Sequence, residues 1–549
     1  MSNYFADNNL LTRKILKNQT ESVFEFYGRF ENFMKQRILL LSMPNYASGF
    51  DRAARFPNLG LASIAGNVDE DLIDKIAIVD LITFRSDLKK FLNKLLMNFQ
   101  PDIVGLSAMS FQYQTAVEIA KIIKQINKEI YTVFGGYHIT LAYDIISNSE
   151  DAAYIDFMIR KEGEIAFNNL VKALAAKTSK FSEIKNLSYK ENGKFNHNKC
   201  AENIDLNKLK IPKRNIRITK KYFIFGKRTD VIETSRGCTM NCNFCCMPFM
   251  YGRTFRKYDM NRIKKDIENA IANGAKSLFI VDDNAFLDIH HMHNFCDLVI
   301  KNKFNKIDYM IQASVRGIAS DENLVRKMAE AGFKFVFLGI ENVESEDIKL
   351  LSKDKKVLTE SVRAVKLLQE NNIISAGGFI VALPDDTEEK IWNNFHFARE
   401  IKLDAPFFFV ATPHLKTEFR KNLIKEKAVT NLHDFCFYNG LQVNVRTRSL
   451  SSEQISYIIS KMNGKYGDIE YIKFNKIKTN YPFFFWKAFI KNIPRMMTNK
   501  LRKILYPNNK YLNYIAGRKR LIKRMRKWLL DREEVILSRL KELNIRENL

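Results

Sequence analysis

Long apolar runs are missing from this chain. Across its 549 residues no stretch reaches the length of a transmembrane helix. The opening MSNYFADNNLLTRKILKNQ also has no apolar h-region of the kind a secretory signal carries. Cysteine is scarce: there are seven, an odd number, and none before Cys200. That usage argues against a disulfide scaffold, and a reducing, cytoplasmic setting is expected. Phosphate cradles are absent as well. No G-x-G-x-x-G follows the first strand-like run, and there is no P-loop. Negative charge is in deficit, with 88 Lys and Arg against 61 Asp and Glu, a formal +27. Such an excess points to nucleic acid, an anionic membrane, an acidic substrate, or simply a Lys-rich proteome.

What is present is regular. The chain is too long for a single core, so roughly two or three domains are expected. Residues 1–36 are polar and weakly helical, an N-terminal appendage. From 37 the texture changes. RILLLSM (37–43), KIAIVDL (75–81), DIVGLSAM (102–109), YTVFGG (131–136) and YIDFMIR (154–160) are apolar runs of strand length. Amphipathic stretches of helix length separate them, such as DLKKFLNKLLMNF (87–99) and QTAVEIAKIIKQI (114–126). Strand and helix in alternation predict a parallel sheet covered by helices, a doubly wound α/β domain over 37–176. Residues 177–226 are less periodic and form a connector. The alternation then restarts over 227–445. VIETS (231–235), SLFIVDD (277–283), DYMIQASV (308–315), FKFVFLGIE (333–341), GGFIVALP (377–384) and APFFFVATP (405–413) predict a second α/β domain of six units, either an open sheet or a partial barrel. Residues 446–549 are helical and strongly basic.

Four of the seven cysteines fall in TSRGCTMNCNFCCMPF (234–249), just after the first strand of the second domain. In parallel α/β folds the carboxyl ends of the strands carry the chemistry. Cys238, Cys242 and Cys245 have the spacing C-x3-C-x2-C. Three thiolates in one loop suit three irons of a [4Fe–4S] cluster and leave the fourth open. Structural zinc fits less well, because it normally draws on a second Cys or His pair and none is in view. Cys246 departs from the plain spacing and reads as a bystander, with a place in the active site as the alternative. Cys200, Cys296 and Cys436 are isolated and read as packing residues.

With Phe244 as the aromatic before the third cysteine, the loop resembles the signature of the radical S-adenosylmethionine (SAM) superfamily. That resemblance implies a partial (β/α)6 barrel. It also implies that SAM chelates the open iron and is cleaved by one electron to a 5′-deoxyadenosyl radical. It further implies SAM contacts at Asp282, Asp283 and Asn284 after the second strand, at Gly339 and Glu341 ending the fourth, and at Gly377 and Gly378 in the fifth. Taken singly, each of these also reads as a strand-end turn. A one-electron donor such as flavodoxin or ferredoxin is implied as partner.

The first domain resembles the cobalamin-binding domain found in front of many radical SAM barrels. The resemblance rests on FPNLGLASIAG (56–66), PDIVGLSAMS (101–110), FGGYHITL (134–141) and RKEGEIAF (160–167). It implies that Ser107, Ser110, Gly135, Gly136, His138, Gly163 and Glu164 surround the corrin or its nucleotide tail. The D-x-H-x-x-G loop of cobalamin mutases is not matched: Asp51 is followed by Arg52 and Ala53, so no histidine of that loop would ligate cobalt. The activity implied is a cobalamin-dependent radical SAM methyltransferase. One SAM methylates Co(I), another yields the radical, and an unactivated carbon of a small or lipid-like substrate takes the methyl group. Cyclisation, ring rearrangement or oxidation on the same cofactors is the alternative, and a non-catalytic cobalamin or SAM sensor ranks lower. The transfer RNA methylthiotransferases, which carry a second cluster on N-terminal cysteines, are not matched by a cysteine-free 1–199. Tyr113, Tyr137, Tyr251, Tyr258 and Cys246 are possible proton or hydrogen donors. YPFFFWKAFIKNIPRMMTNKLRKILYP (481–507) and GRKRLIKRMRKWLLDREEVILSRLKEL (517–543) interleave basic and large apolar residues. They read as a helical cap over the active site or as a peripheral membrane contact, with nucleic acid the last of the three.

Overall fold

The computed structural model of the chain describes residues 34–45, 55–83, 88–218, 222–351, 356–465 and 475–487. The first domain is a sheet of β1 (Gln36–Ser42), β2 (Ile73–Asp80), β3 (Ile103–Ser107), β4 (Tyr131–Gly135) and β5 (Phe157–Ile159), all parallel, in the order β2-β1-β3-β4-β5. The continuous apolar run of β1 has a direct cause. Ile38 and Leu40 enter the core on one face, while Leu39 and Leu41 enter the core on the other. A strand covered on both faces needs no polar positions.

Strand order reverses at β1, which has β2 on one side and β3 on the other. In sheets of this kind the reversal opens a crevice at the carboxyl edge. Beyond β5 the sheet gains an antiparallel hairpin, β6 (Leu187–Glu191) and β7 (Lys194–His197), within the connector.

The second sheet begins with a short hairpin of β8 (Phe223–Ile224) and β9 (Lys227–Ile232). From β9 it runs in sequence order through β12 (Ser277–Ile280), β13 (Asp308–Ser314), β14 (Phe333–Glu341), β15 (Ile374–Val381) and β16 (Ala405–Val410). These six strands are parallel, each beside the next. The arrangement is the predicted six-unit domain in its half-barrel form. A separate ribbon of β10 (Ser235–Arg236) and β11 (Arg256–Lys257) frames the cysteine loop. Helices pack outside through one large core that takes Val336, Leu338 and Ile340 from β14 and Phe379 and Val381 from β15. Alternate residues of the same strands therefore face the lumen.

The connector is tied to both domains. Ile78 of β2 exchanges backbone bonds with Ile216 and Ile218. Arg214, fully buried, meets Asp230 and Asp266, and Arg217 binds Asp230 with Nη1 at 2.7 Å. Tyr222 Oη donates to Asp80 at 2.9 Å. Burial outweighs that bond and pushes the Asp80 carboxyl up to about 6. A native pKa above the unfolded one means that folding takes up a proton. The contribution is full below the unfolded pKa and is lost as pH rises through the native value. Asp80→Asn is expected to remove roughly 3 kcal/mol of the fall in stability between about pH 4 and 6. Urea denaturation across that range checks it.

The C-terminal region enters the description as a helix over Ser452–Lys465, whose Ile455, Ile458, Ile459 and Met462 join the barrel's outer core. Next comes the short helix Lys476–Asn480. Asn475 Nδ2 donates to the Asp404 carbonyl at 2.7 Å, just before β16, and Tyr481 Oη donates to Asp308 Oδ2 at 2.6 Å, at the start of β13. This part covers the amino ends of the strands, opposite the cysteine loop, so its described residues do not lie over the expected site. The bulk of the two basic segments, residues 488–549, lies outside the described residues, as do Asp51, Arg52, Ala53 and residues 1–33 of the appendage.

Candidate active site between the two sheets

The carboxyl edge of the first sheet is a shelf of small residues. Ser42, Ser107 and Gly135 end β1, β3 and β4 in mutual register. Among the described residues, a Cβ added at Gly135 would meet nothing nearer than the Ile159 carbonyl oxygen at 3.9 Å. Gly136 follows with φ +100, where an added Cβ would stand 2.8 Å from the Ala108 oxygen. Only glycine satisfies that geometry. Asn58 caps the helix Leu59–Gly66 and donates from Nδ2 to Ser107 Oγ at 3.4 Å. A Cβ added at Gly163 would stand 3.4 Å from Ile64 Cδ1. Ser110 Oγ lies 3.2 Å from His138 Nδ1. The His138 ring is buried between Tyr113 and Phe435, and burial lowers its pKa to about 3, so it is a neutral ring.

The Glu164 carboxylate bridges the first domain and the barrel. Its Oε1 accepts from Ser63 Oγ at 2.8 Å and from Arg236 Nη2 at 2.8 Å. Burial works to raise its pKa, but Arg236 outweighs burial and holds the carboxyl below its usual range.

The cysteine loop faces the shelf. Cys238, Cys242, Cys245 and Cys246 are all half-buried, and each is a thiol outside any disulfide. Burial, reinforced by the three neighbouring thiols, pushes Cys245 up to about 12. Metal coordination would compensate by deprotonating the thiol outright. Tyr137, the residue after Gly136, is half-buried and donates from Oη to Met247 Sδ in the loop at 2.8 Å. Cys246 and Phe249 pack on the core of the first sheet. Burial raises Cys246 to about 11.

The loop is anchored from the second barrel strand. Asp282, fully buried, accepts from Thr234 N at 2.7 Å, from the Thr234 hydroxyl, and from Ser235 Oγ at 2.7 Å. Asp283 Oδ2 accepts from Gly237 N at 2.7 Å, and burial pushes this carboxyl up to about 7. Asn284 directs Nδ2 at Met240 Sδ, 3.7 Å away, and its buried Oδ1 has no partner among the described residues.

Further round the barrel, Glu341 has φ +74, and its Oε1 lies 2.8 Å from where a Cβ on Gly339 would be. Gly377 and Gly378 point to opposite sides. A Cβ on Gly377 would stand 2.7 Å from Ile340 Cδ1 and Leu403 Cδ2, in the outer layer. On Gly378 it would stand 2.9 Å from Phe337 Cζ, in the lumen. Half-exposed Phe337, Phe407 and Phe409 line the lumen there, with ring centroids 5.7 to 6.4 Å apart.

Comparisons with known proteins agree with this geometry. The radical SAM superfamily model matches residues 232–398, and the B12 binding domain model matches residues 50–171. A protein of Pyrococcus horikoshii described as an uncharacterized methyltransferase is 30% identical over 436 residues, covering 78% of this chain and 92% of its own length. The chain belongs to the B12-binding radical SAM enzymes. An anaerobic magnesium-protoporphyrin IX monomethyl ester cyclase of Rubrivivax gelatinosus is 28% identical, covering 69% of this chain and 68% of that protein. The fold is shared with the cobalamin-dependent SAM radical enzyme OxsB, solved with aqua-cobalamin and SAM bound: TM-score 0.62, 16% identity, 93% of this chain and 81% of that one.

Family membership brings a [4Fe–4S] cluster, SAM and cobalamin, and the residues fit all three. Three thiols share one loop. The unpartnered Asn284 Oδ1 beside the loop suits an ammonium donor such as the SAM amino group. Small residues at Ser42, Ser107 and Gly135 suit the close approach of a flat ring. Ser42, Asn58, Glu162 and Arg236 belong to the site or its frame and carry no sequence signal of their own.

Proposed function

We propose that this enzyme transfers a methyl group to an unactivated carbon of a small, apolar substrate. The observation that carries the reading is the placement of the cysteine loop against the small-residue sheet edge, across the Tyr137–Met247 contact. When bound, the cluster and SAM supply the radical and cobalamin supplies the methyl carrier. The chain holds and shields them. Asp282 and Asp283 fix the loop, the Asn284 amide oxygen receives an ammonium donor, and Glu341 and Gly378 border the lumen. Phe337, Phe407 and Phe409 give that lumen an apolar wall, which supports an apolar substrate over a charged one. Flavodoxin or ferredoxin provides the electron. The basic C-terminal region touches an anionic membrane surface. Phe483 and Trp486, 80% and 46% exposed there, support this contact.

The test uses anaerobically reconstituted protein with hydroxocobalamin, reductant and SAM labelled with carbon-13 in its methyl group, presented with lipid and polar cell extracts. A carbon-bound label in a product is the expected result. Deoxyadenosine with a dehydrogenated or cyclised product and no label would favour the second reading, which similarity to the cyclase of Rubrivivax gelatinosus supports. The membrane contact predicts flotation with anionic liposomes and not with neutral ones.

A further inference from the structure

The two cofactor domains meet through a buried cluster of charge that the chemistry above does not use. Arg236, two residues before Cys238, is 6% exposed and meets three carboxylates with one guanidinium. Its Nε binds Glu233 at 2.9 Å, Nη1 binds Glu162 at 3.0 Å and Nη2 binds Glu164 at 2.8 Å. Glu162 and Glu164 follow β5 on the corrin-binding edge, and Glu233 ends the first barrel strand. The arrangement is braced on each side. Arg256, paired with Arg236 across the β10–β11 ribbon, binds Glu162 at 3.0 Å. Glu162 also accepts from Ile204 N at 3.0 Å in the connector. Ser63, on the helix after β1, donates to Glu164, and Tyr258 Oη donates to Glu233 at 2.9 Å.

We propose that Arg236 is a positioning residue, holding the cluster loop at a fixed place against the corrin-binding edge by gripping Glu162, Glu164 and Glu233 at once. The planar fork is what makes this possible. Its three nitrogens leave in fixed directions, so three carboxylates on three segments are held in one geometry. A lysine supplies the charge as a point and fixes none of those directions. The surroundings are water-poor, so the carboxylates have no solvent to replace a lost partner. Methyl transfer from one cofactor to a radical made at another is sensitive to placement on the ångström scale. A rigid joint between their holders is therefore the part this interface contributes.

The proposal rests on both cofactors being held by this chain, and the test separates the two ideas. Arg236→Lys and Glu164→Gln are compared with wild type at matched corrin and iron content. Pulsed paramagnetic resonance reads how far the reduced cluster speeds the relaxation of cob(II)alamin, which depends steeply on their separation. Amide hydrogen exchange is followed in the segments around Glu162 and Arg236. The expected result is a several-fold weaker relaxation enhancement in both variants, with faster exchange in both segments and unchanged exchange in the central strands. Relaxation and exchange equal to wild type would overturn the proposal. If Arg236→Lys does not fold, Glu164→Gln carries the same expectation, because it keeps shape and leaves Arg236 two carboxylates. A wild type without corrin would strike the two-cofactor reading instead, and exchange alone would then decide the proposal.

Discussion

Replacing Cys238, Cys242 or Cys245 by alanine is expected to abolish cluster assembly and reduce deoxyadenosine formation to background. The three thiols lie on one loop held from outside by Asp282 and Asp283, so the loop can keep its course when one sulfur is lost. The deficit is then one of ligation. Burial and mutual repulsion push Cys245 up to about 12, so a thiolate there depends on iron to persist. An alanine supplies neither charge nor ligand, and an iron left short of thiolate is lost to solvent. Iron and sulfide content, visible absorption and deoxyadenosine after reconstitution are the measurements. Cys246→Ala is the companion. Its sulfur packs with Phe249 on the first sheet's core, so iron and deoxyadenosine should stay near wild type, with a packing loss of about 1 kcal/mol. Corrin binding should survive in all four, since the shelf belongs to the other domain. Any of the three variants that kept both iron and SAM cleavage would remove its cysteine from the ligand set.

Much of this architecture was legible because parallel strands buried on both faces leave continuous apolar runs. All six second-domain runs correspond to strands, and so do the five of the first domain. The cysteine loop was legible because three thiols spaced C-x3-C-x2-C in one short loop suit iron ligation. Three features stayed hidden for physical reasons. The hairpin of β6 and β7 has one wet face, and KFNH reads as polar loop. Gly377 and Gly378 look equivalent in sequence, yet the pleat sends one to the helix layer and the other to the lumen. Glu164 is implied beside the corrin by the resemblance, and its carboxylate also binds Arg236, 72 residues later, a pairing without a sequence signal. Glu162 and Arg236 look like ordinary charged loop residues, since pairing across domains leaves no periodic trace.

Gly237→Ala is expected to disable the cluster site while leaving every thiol in place. Gly237 has φ +88, a conformation that costs an L-residue free energy wherever it occurs. Here the backbone is also crowded. An added Cβ would stand 2.2 Å from the Thr254 carbonyl oxygen and 3.2 Å from its carbon. Neither side can give way easily. Thr254 is held by Asn203, whose Nδ2 donates to its Oγ1 at 3.1 Å, and by its own bond to the Tyr251 carbonyl at 2.8 Å. The β10–β11 ribbon fixes the neighbouring residues, with Arg236 opposite Arg256. Gly237 N donates to Asp283 Oδ2, so a shift of the backbone also releases that buried carboxylate. The combined local cost is roughly 3 kcal/mol or more, and it falls on the residue next to Cys238. Gly226→Ala separates crowding from conformation. Gly226 has φ +82, yet an added Cβ there would meet nothing within 4 Å among the described residues, and it lies in the turn between β8 and β9. That variant should lose about 1 kcal/mol and keep its iron. Gly237→Ala should fold, bind corrin, and fail to retain iron or form deoxyadenosine. Equal iron in the two alanine variants would mean that the loop tolerates a displaced ribbon, and the anchoring assigned to Asp282 and Asp283 would fall with it.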